Sequence, residues 1–337
     1  MPFRIEKREK VIFFNILYHY VEFLEVTLDY IMKDKKMTNA MLMLHFAVFL
    51  AGTSGLFGRW ISLNETLLVW YRVLLSVLIM GAIMLGIRLF KRKGSAEPKS
   101  RTSAVTYLMI MGIGCLLCFH WLFFFGSVKA ANVSIGAVCL SLVPFVTAVL
   151  EPLITKTRFS VRYFLLSILS VAGVACIFGI DTQFRQGIVY GAISSTLLAL
   201  MIICNRSMRS NNVEASKLLL TEMMGGGIVL TFVVAIMKLR DPPLCIVPTT
   251  SDWIFLLLLA GIVTITPYLL KIMVLDRVDA FTVNLVNNME PVYSIVLAVI
   301  LFNEAQQLSF AFVVGVALII LSVALQTSSV MKGSLRH

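Results

Sequence analysis

Apolar residues in this chain run in long, almost uncharged blocks of about 18 to 25 positions, the length that an α-helix needs to cross a membrane. Because lipid offers no partners for unpaired backbone groups, such blocks predict helices. We therefore predict an all-α polytopic membrane protein with ten transmembrane helices. They span residues 41–61, 66–90, 104–126, 132–154, 162–180, 187–205, 215–238, 252–275, 280–302 and 309–327.

The chain carries an internal repeat. Pro144 and Pro291 lie 147 positions apart, and the same shift brings several polar and aromatic positions into register. These pairs are Ser141 with Asn288, Thr147 with Ser294, Trp121 with Tyr268, and His120 with Pro267. We predict two five-helix repeats, at 41–180 and 187–327, with an N-terminal extension at 1–40 and a tail at 328–337. Because each repeat has an odd number of helices, the second repeat enters the membrane from the opposite side to the first. Inverted repeats of this kind are typical of secondary transporters.

Composition and charge support a membrane protein. Of the 337 residues, 59% are hydrophobic and 14% are charged, whereas soluble domains are about half apolar and a quarter charged. The net charge of +11 comes from bases concentrated in alternate connections. The positive-inside rule then places both termini in the cytoplasm. The basic surplus is thus explained by topology, and no nucleic-acid partner is predicted.

The first 36 residues have a different composition, with many charges around an aromatic-rich segment from Val11 to Ile31. Two interpretations stay open. An apolar stripe that includes Phe13, Leu17 and Leu24 fits an interfacial amphipathic helix. Alternatively, translation begins at Met37 or Met41, and the segment is dispensable.

The ninth apolar block holds the most unusual polar residues. Glu290 is its only formal charge, near the middle of the block. Asn284, Asn287, Asn288 and Pro291 recur at helical spacing, so they share one face. A face this polar is predicted to turn towards a cavity. Pro291 is predicted to break the helix, as is Pro144 at the equivalent position of the fourth block. Glu290 is either a proton carrier or a fixed acid beside a base such as Lys271.

Charged residues in three other blocks each allow two interpretations. Arg72 is either a base that extends to the lipid headgroups or a cation in a cavity. His120 is either a packed hydrogen-bonding residue or a contact for substrate or protons. Glu222 precedes Gly225-Gly226-Gly227, where we predict close packing or a bend.

The competing class is an intramembrane enzyme. Gly52-Thr53-Ser54-Gly55 is similar to the nucleophile segment of intramembrane serine hydrolases, and such a serine needs a base. His45 lies nine residues from Ser54 on the same helix, about 13 Å away; His120 remains at a suitable depth. The ten-helix repeat plan does not fit such an enzyme, so we predict none, and no metal or cofactor.

Several motifs together resemble the drug/metabolite transporter superfamily, specifically its EamA-type ten-helix members. They are Trp70-Tyr71-Arg72, the connector Val128-Lys129-Ala130-Ala131-Asn132, Pro144, Asn288-Met289-Glu290-Pro291-Val292-Tyr293, and Asn303-Glu304 ahead of Gly315. The resemblance covers residues 41 to about 327. In the first copy, Thr157 or Arg158 stands where the second copy has Glu304.

The resemblance implies a central cavity lined by helices 1–4 and 6–9, alternating access, and export of small metabolites, often amino acids, across a bacterial inner (plasma) membrane. The polar and aromatic residues predicted to line the pathway are Trp70, Tyr71, Arg72, His120, Trp121, Ser141, Glu222, Tyr268, Lys271, Asn284, Asn287, Asn288, Glu290 and Tyr293. Charges of both signs favour a zwitterion or polar metabolite, with protons as a possible second partner. The alternative, cationic drug efflux, predicts a membrane carboxylate without a base beside it.

Overall fold

The computed structural model describes residues 35–90, 103–156, 158–180, 182–210, 215–275, 286–287, 289–304 and 309–334. These residues form helices and connections, with no strand among them. The helices are α1 (Lys35–Gly52), α2 (Ser54–Trp60), α3 (Glu65–Phe90), α4 (Ala104–Ala130), α5 (Val133–Leu140), α6 (Val143–Thr155), α7 (Val161–Ile180), α8 (Arg185–Ser210), α9 (Ala215–Arg240), α10 (Thr250–Leu258), α11 (Thr266–Leu275), α12 (Glu290–Phe302) and α13 (Phe310–Ser334).

Most of the predicted membrane crossings are present as helices. In the described part of the chain, seven segments are long and apolar enough to span a membrane. Shorter apolar helices lie at Phe164–Phe178, Glu290–Phe302 and Phe310–Ser322. Together they account for the ten predicted helices and confirm the all-α membrane fold. The N-terminal extension before residue 35, and with it both interpretations of that segment, lies outside the described residues, as do Asn284 and Asn288.

Among the residues that the structure describes, four crossings are interrupted. Two of the interruptions lie next to Pro144 and Pro291, where helix breaks are predicted, and two lie where continuous helices are predicted. The first crossing breaks at Thr53 between α1 and α2, and the fourth breaks at Ser141-Leu142 between α5 and α6. In the eighth, a wider π-helical stretch, Leu259–Ile265, joins α10 to α11. Breaks within a membrane helix free backbone groups and are tolerated where protein or a cavity surrounds them.

The two proline breaks have the same geometry, which supports the repeat. Proline lacks an N–H and clashes with the carbonyl four residues back, so α6 and α12 each start one residue before Pro144 or Pro291. Ahead of them, Leu142 N–H donates to the Cys139 carbonyl at 3.0 Å. The equivalent bond, from Met289 to Val286, measures 2.9 Å.

The far ends of α6 and α12 also correspond. Each helix has 13 residues and ends at a left-handed residue, Lys156 with φ 54° and Asn303 with φ 53°. These two residues are again 147 positions apart, like the prolines. The structure thus carries the same repeat that the sequence indicates, down to individual backbone angles.

Glycines bring α4 and α9 into backbone contact. A Cβ added at Gly114 would overlap the backbone of Glu222, and one added at Gly225 would overlap the backbone of Met111. A Cβ at Gly226 would lie 2.7 Å from the Gly114 carbonyl oxygen. The glycines of α9, which runs from Ala215 to Arg240, therefore serve close packing with α4.

Helices α7 and α13 pack against each other. Gly173 and Gly315 meet backbone to backbone, and the Ser170 hydroxyl donates to Ser322 Oγ at 2.9 Å. Small residues of this kind let membrane helices approach closely. The pair contributes no residue to the cavity described below, so the other eight crossings surround it.

Candidate functional site

A cavity of about 210 Å³ lies inside the bundle. Its lining comes from eight crossings, four in each repeat, which are the helices that the resemblance implied. Most of the lining is apolar or aromatic, but four charged side chains reach it: Arg72, Glu222, Lys271 and Glu290. His120, Trp121 and Tyr268 line it as well. Seven of the residues predicted for the pathway therefore meet in one cavity.

Arg72 lies inside the bundle with only 3% of its surface exposed, so its side chain does not extend to the headgroups. Its Nε donates to Thr264 Oγ1 at 2.8 Å, and its Nη1 donates to Ser54 Oγ at 3.2 Å. The guanidinium carbon lies 3.7 Å from the centroid of the Trp121 ring, a cation–π contact that burial strengthens.

The π-helical stretch explains how Thr264 reaches Arg72. Its hydroxyl donates to the Leu259 carbonyl five residues back at 2.7 Å, which satisfies a backbone group of the widened turn. The same oxygen accepts the Arg72 hydrogen bond. Single π-helical turns are frequent at functional sites, and this one positions a hydroxyl against the buried cation.

His120 is fixed by Ser194 on α8. Its Nδ1 lies 3.0 Å from the Ser194 carbonyl oxygen and 2.8 Å from Ser194 Oγ. A carbonyl oxygen only accepts, so Nδ1 carries the proton in this contact. The neutral ring then presents Nε2 as an acceptor. The ring is therefore packed and hydrogen-bonded, and it also lines the cavity. A contact of His120 with substrate or protons stays a prediction.

Glu290 lies at the break before α12, close to α1. A Cβ added at Gly52 would lie 3.0 Å from the Glu290 carbonyl oxygen, so glycine at position 52 allows the two helices to meet there. Lys271 and Arg72 both act electrostatically on the Glu290 carboxylate. This acid thus shares the cavity with two cations, Lys271 from α11 and Arg72 from α3.

Glu222 has a different environment. It is 1% exposed, on the opposite repeat from Arg72, and the Asn205 side chain hydrogen-bonds its carboxylate. Two acceptors in this pair have no donor among the described residues, Oε1 of Glu222 and Oδ1 of Asn205. Buried acceptors without partners are costly, and both of these residues line the cavity.

Two predicted aromatic residues of α3 lie away from the cavity lining. Trp70 Nε1 donates to Thr231 Oγ1 on α9 at 2.9 Å, and the Tyr71 hydroxyl donates to the Ile246 carbonyl at 3.0 Å. Tyr71 also packs edge-on against Trp253, with ring centroids 5.3 Å apart. These contacts join α3 to the second repeat rather than to the cavity.

Three predicted residues near the helix breaks also lie outside the lining. The Ser141 hydroxyl donates to the Val138 carbonyl at 2.6 Å. The Tyr293 hydroxyl lies 3.2 Å from His45 Nδ1 on α1. Asn287 Oδ1 is buried and has no partner in the described part of the chain. These side chains satisfy or border the broken segments.

Two acids join the repeats at one end of the bundle, which we call the Asp252 end. Asp252, 1% exposed, accepts from the backbone N–H of Ser62 at 2.7 Å and from its hydroxyl at 2.6 Å. Glu304 is also 1% exposed and accepts from the N–H groups of Val133 and Ser134 and from the Ser134 hydroxyl, at 3.1, 2.9 and 2.6 Å. A carboxylate at a helix N-terminus is favoured by the helix dipole, here that of α5.

Aromatic rings fill the Asp252 end between these acids. Trp60 stacks on Phe255 with centroids 5.4 Å apart, and it contacts Phe302 and Phe57 edge-on at 5.8 and 5.5 Å. The rings come from α2, α10 and α12, so both repeats contribute. This end of the bundle is closed by apolar packing and by two buried carboxylates.

Asn205 and Thr264 belong to the site, although the sequence analysis did not select them. Amides and hydroxyls are common in membrane helices, and neither residue carries a formal charge. The signal for Thr264 was the sequence Gly261-Ile262-Val263-Thr264-Ile265-Thr266, where threonines follow a glycine in an apolar block. For Asn205 the signal was its position as the last polar residue before the basic connection, which is weak.

The fold and the cavity define a helical membrane transporter built from two five-helix repeats. The sequence model of the EamA-like transporter family matches the chain twice, over residues 38–179 and 185–328. The chain therefore belongs to the EamA-like transporter family, whose members are transporters rather than enzymes. In the structure, the Ser54 hydroxyl accepts a hydrogen bond from Arg72, and His120 Nδ1 is hydrogen-bonded to Ser194.

The chain also has the fold of a protein of known structure. One protein with a crystal structure, whose description gives no function, is 20% identical in sequence to this chain and superposes with a TM-score of 0.58. The match covers 87% of this chain and 98% of the chain in the crystal structure. At this identity the likeness shows the fold alone. No curated protein sequence matches the chain.

Proposed function

We propose that this protein moves a small polar metabolite, best represented by an amino acid, across the membrane by alternating access, and that it exports it. The observation that carries the proposal is the meeting of cations and carboxylates from both repeats in one buried cavity. Charged groups within a membrane protein mark pathways for polar solutes. A cavity between inverted repeats is where secondary transporters hold their substrates.

The size of the cavity favours a small solute. At about 210 Å³ it is below the roughly 300–1,000 Å³ typical of sites for drug-sized ligands. The alternative of cationic drug efflux predicts a membrane carboxylate without a base beside it, whereas Glu290 has two bases acting on it. Amino-acid or metabolite transport is the better fit on both grounds.

The sequence carries no nucleotide-binding motif, so the energy is proposed to come from a gradient. Two cations beside Glu290 favour the interpretation of this residue as a fixed carboxylate. A fixed carboxylate at Glu290 is compatible with proton coupling through another residue. The experiment below tests such coupling by measuring transport with and without a pH gradient.

Transport is tested with purified full-length protein in proteoliposomes. Counterflow of radiolabelled amino acids is measured with a panel of substrates, with and without a pH gradient, against liposomes without protein. Protease release of a terminal tag reports the orientation of the protein in the liposomes. Efflux of preloaded substrate from cells that carry the protein, compared with cells that lack it, reports export. We expect saturable uptake of at least one amino acid. Uptake equal to that of empty liposomes for the whole panel, with properly inserted protein, would contradict the proposal.

A further inference from the structure

We propose that Glu222 and Asn205 bind the primary ammonium group of the transported substrate, and that the cations Arg72 and Lys271, which share the cavity with Glu290, receive its carboxylate. The inference rests on the proposed transport function and adds to it the residues that bind each end of the amino acid. It also adds the nature of the side chain, which is small and apolar.

The acceptors at Glu222 and Asn205 point to a donor that the described protein does not supply. The Asn205 side chain donates to Glu222 through its nitrogen, because a carboxylate only accepts. This leaves the Asn205 oxygen without a donor, alongside Oε1 of Glu222. An ammonium group offers three N–H donors and no acceptor, so it satisfies both oxygens at once.

The distribution of charge in the cavity agrees with this assignment. Arg72 and Lys271 both act on Glu290, and these three groups carry one net positive charge together. Glu222 carries the balancing negative charge, and its described environment is the amide of Asn205 rather than a base. A molecule that is positive at one end and negative at the other complements both regions.

Apolar side chains surround the proposed ammonium site. Leu198, Met201, Leu219 and Met223 line the same cavity and come from α8 and α9, the helices that carry Asn205 and Glu222. Apolar walls with a few oriented polar groups are typical of small-molecule sites. They favour an apolar side chain over a second charged one.

The test uses probes that differ by one charged group. Alanine, leucine and phenylalanine are each paired with the acid that lacks the amino group; for leucine this is 4-methylpentanoic acid. Competition against counterflow in proteoliposomes, together with the ligand-dependent melting temperature of the purified protein, gives the affinity of each probe. In the wild-type protein, we expect at least one amino acid to bind more tightly than its deaminated acid.

Glu222→Gln keeps the shape of the side chain and removes its charge. We expect this change to weaken amino-acid binding roughly ten- to hundredfold, the range for a hydrogen bond to a charged group, and to leave binding of the deaminated acid unchanged. Asn205→Leu removes the other acceptor and is expected to act in the same direction, so it serves if the first variant fails to accumulate. Glu65→Gln, an acid outside the cavity lining, is the matched control.

The possible outcomes separate this inference from the transport proposal. If the wild-type protein transports an amino acid but Glu222→Gln leaves the preference over the deaminated acid unchanged, the ammonium site is wrong and transport stands. A further outcome is that transport depends on sodium or on the pH gradient, and that Glu222→Gln removes this dependence while the preference for the amino acid stays unchanged. In that case Glu222 binds an inorganic cation or a proton, and the ammonium site is likewise wrong. If the wild-type protein transports no probe, the transport proposal fails first.

Discussion

Arg72 connects three crossings through one side chain. Its guanidinium bonds Ser54 on α2 and Thr264 in the π-helical stretch, and it lies over Trp121 on α4. A guanidinium differs from an ammonium in being planar, able to stack, and able to donate in several fixed directions. Charge alone is therefore not enough at this position.

Arg72→Lys is predicted to lower transport at least tenfold while the protein still accumulates in the membrane. Lysine keeps the charge, but it cannot hold Ser54, Thr264 and the Trp121 face together, and one hydrogen bond to a charged group is worth about 1.5–3 kcal/mol. The measurement is initial counterflow rate divided by protein abundance. Arg59→Lys, on the exposed face of α2, is the control. If Arg72→Lys lowers the counterflow rate only as much as it lowers protein abundance, then Arg72 supports folding and not transport.

The sequence selected the charged residues of the cavity because charges are rare in apolar blocks. It did not find Asn205 or Thr264, whose roles depend on pairing across helices. Trp70 and Tyr71 were placed in the pathway next to Arg72, but neighbours on a helix point about 100° apart. Their side chains accordingly face Thr231 and Ile246 while Arg72 faces the cavity.

At the scale of the helices, close contact between α4 and α9 positions Glu222. Gly114 faces the backbone of Glu222 with no room for a Cβ, whereas a Cβ at Gly112, on the same helix, would meet nothing within 4 Å. The two glycines therefore form a matched pair. One is required by packing, and the other only lowers helix propensity.

Gly114→Ala is predicted to lower the melting temperature of the purified protein and to impair transport, because α4 and α9 must separate to fit the methyl group. Overpacking of this kind costs about 1–3 kcal/mol. Gly112→Ala is predicted to be neutral or to stabilise by roughly 0.5–1 kcal/mol. Thermal unfolding in detergent compares the two. Equal melting temperatures would mean that the helices are free to shift at this contact.

The positions of the helices followed well from the sequence, since the length of an apolar block is set by membrane thickness. The proline breaks were also predictable, because proline removes a backbone donor. The break at Thr53 and the π-helical stretch at Leu259–Ile265 were not. Neither contains a proline, and both depend on hydroxyl groups and neighbouring helices for partners.

At the scale of the whole molecule, Glu304 and Asp252 hold the two repeats together at one end. Glu304 belongs to the second repeat and caps α5 of the first, through hydrogen bonds to Val133 and Ser134. The family resemblance drew attention to Glu304, but its partners lie about 170 residues away in the chain. No local pattern reveals such a pairing.

Glu304→Gln is predicted to open the Asp252 end more often. The amide keeps the size of the carboxylate but lacks the charge that the N-terminus of α5 favours, and part of its hydrogen bonding is lost. A change of about 1.4 kcal/mol corresponds to a tenfold change in an equilibrium. The measurement is the rate at which a membrane-impermeant thiol reagent, added at the Asp252 end, modifies Leu140→Cys in the cavity lining.

We expect that labelling rate to rise several-fold in Glu304→Gln and to stay unchanged in Glu65→Gln. If Glu304→Gln labels at the wild-type rate, the carboxylate stabilises α5 without controlling access. The labelling rate also tests the proposed alternating access. If neither the variants nor added substrate change that rate, the cavity does not alternate between the two sides of the membrane, which contradicts the proposal.

The carboxylate at Glu304 has a consequence for the timing of transport. In the first repeat, position 157 is a threonine, so the sequence has no acid at the equivalent position. The direction of net flux follows from the gradients of the substrate and of any coupled ion, which this asymmetry leaves unchanged. Under the proposed alternating access, the asymmetry biases instead which conformation the empty protein occupies most of the time. We expect the unloaded protein to wait with its cavity facing the side opposite the Asp252 end, and to meet each new substrate there.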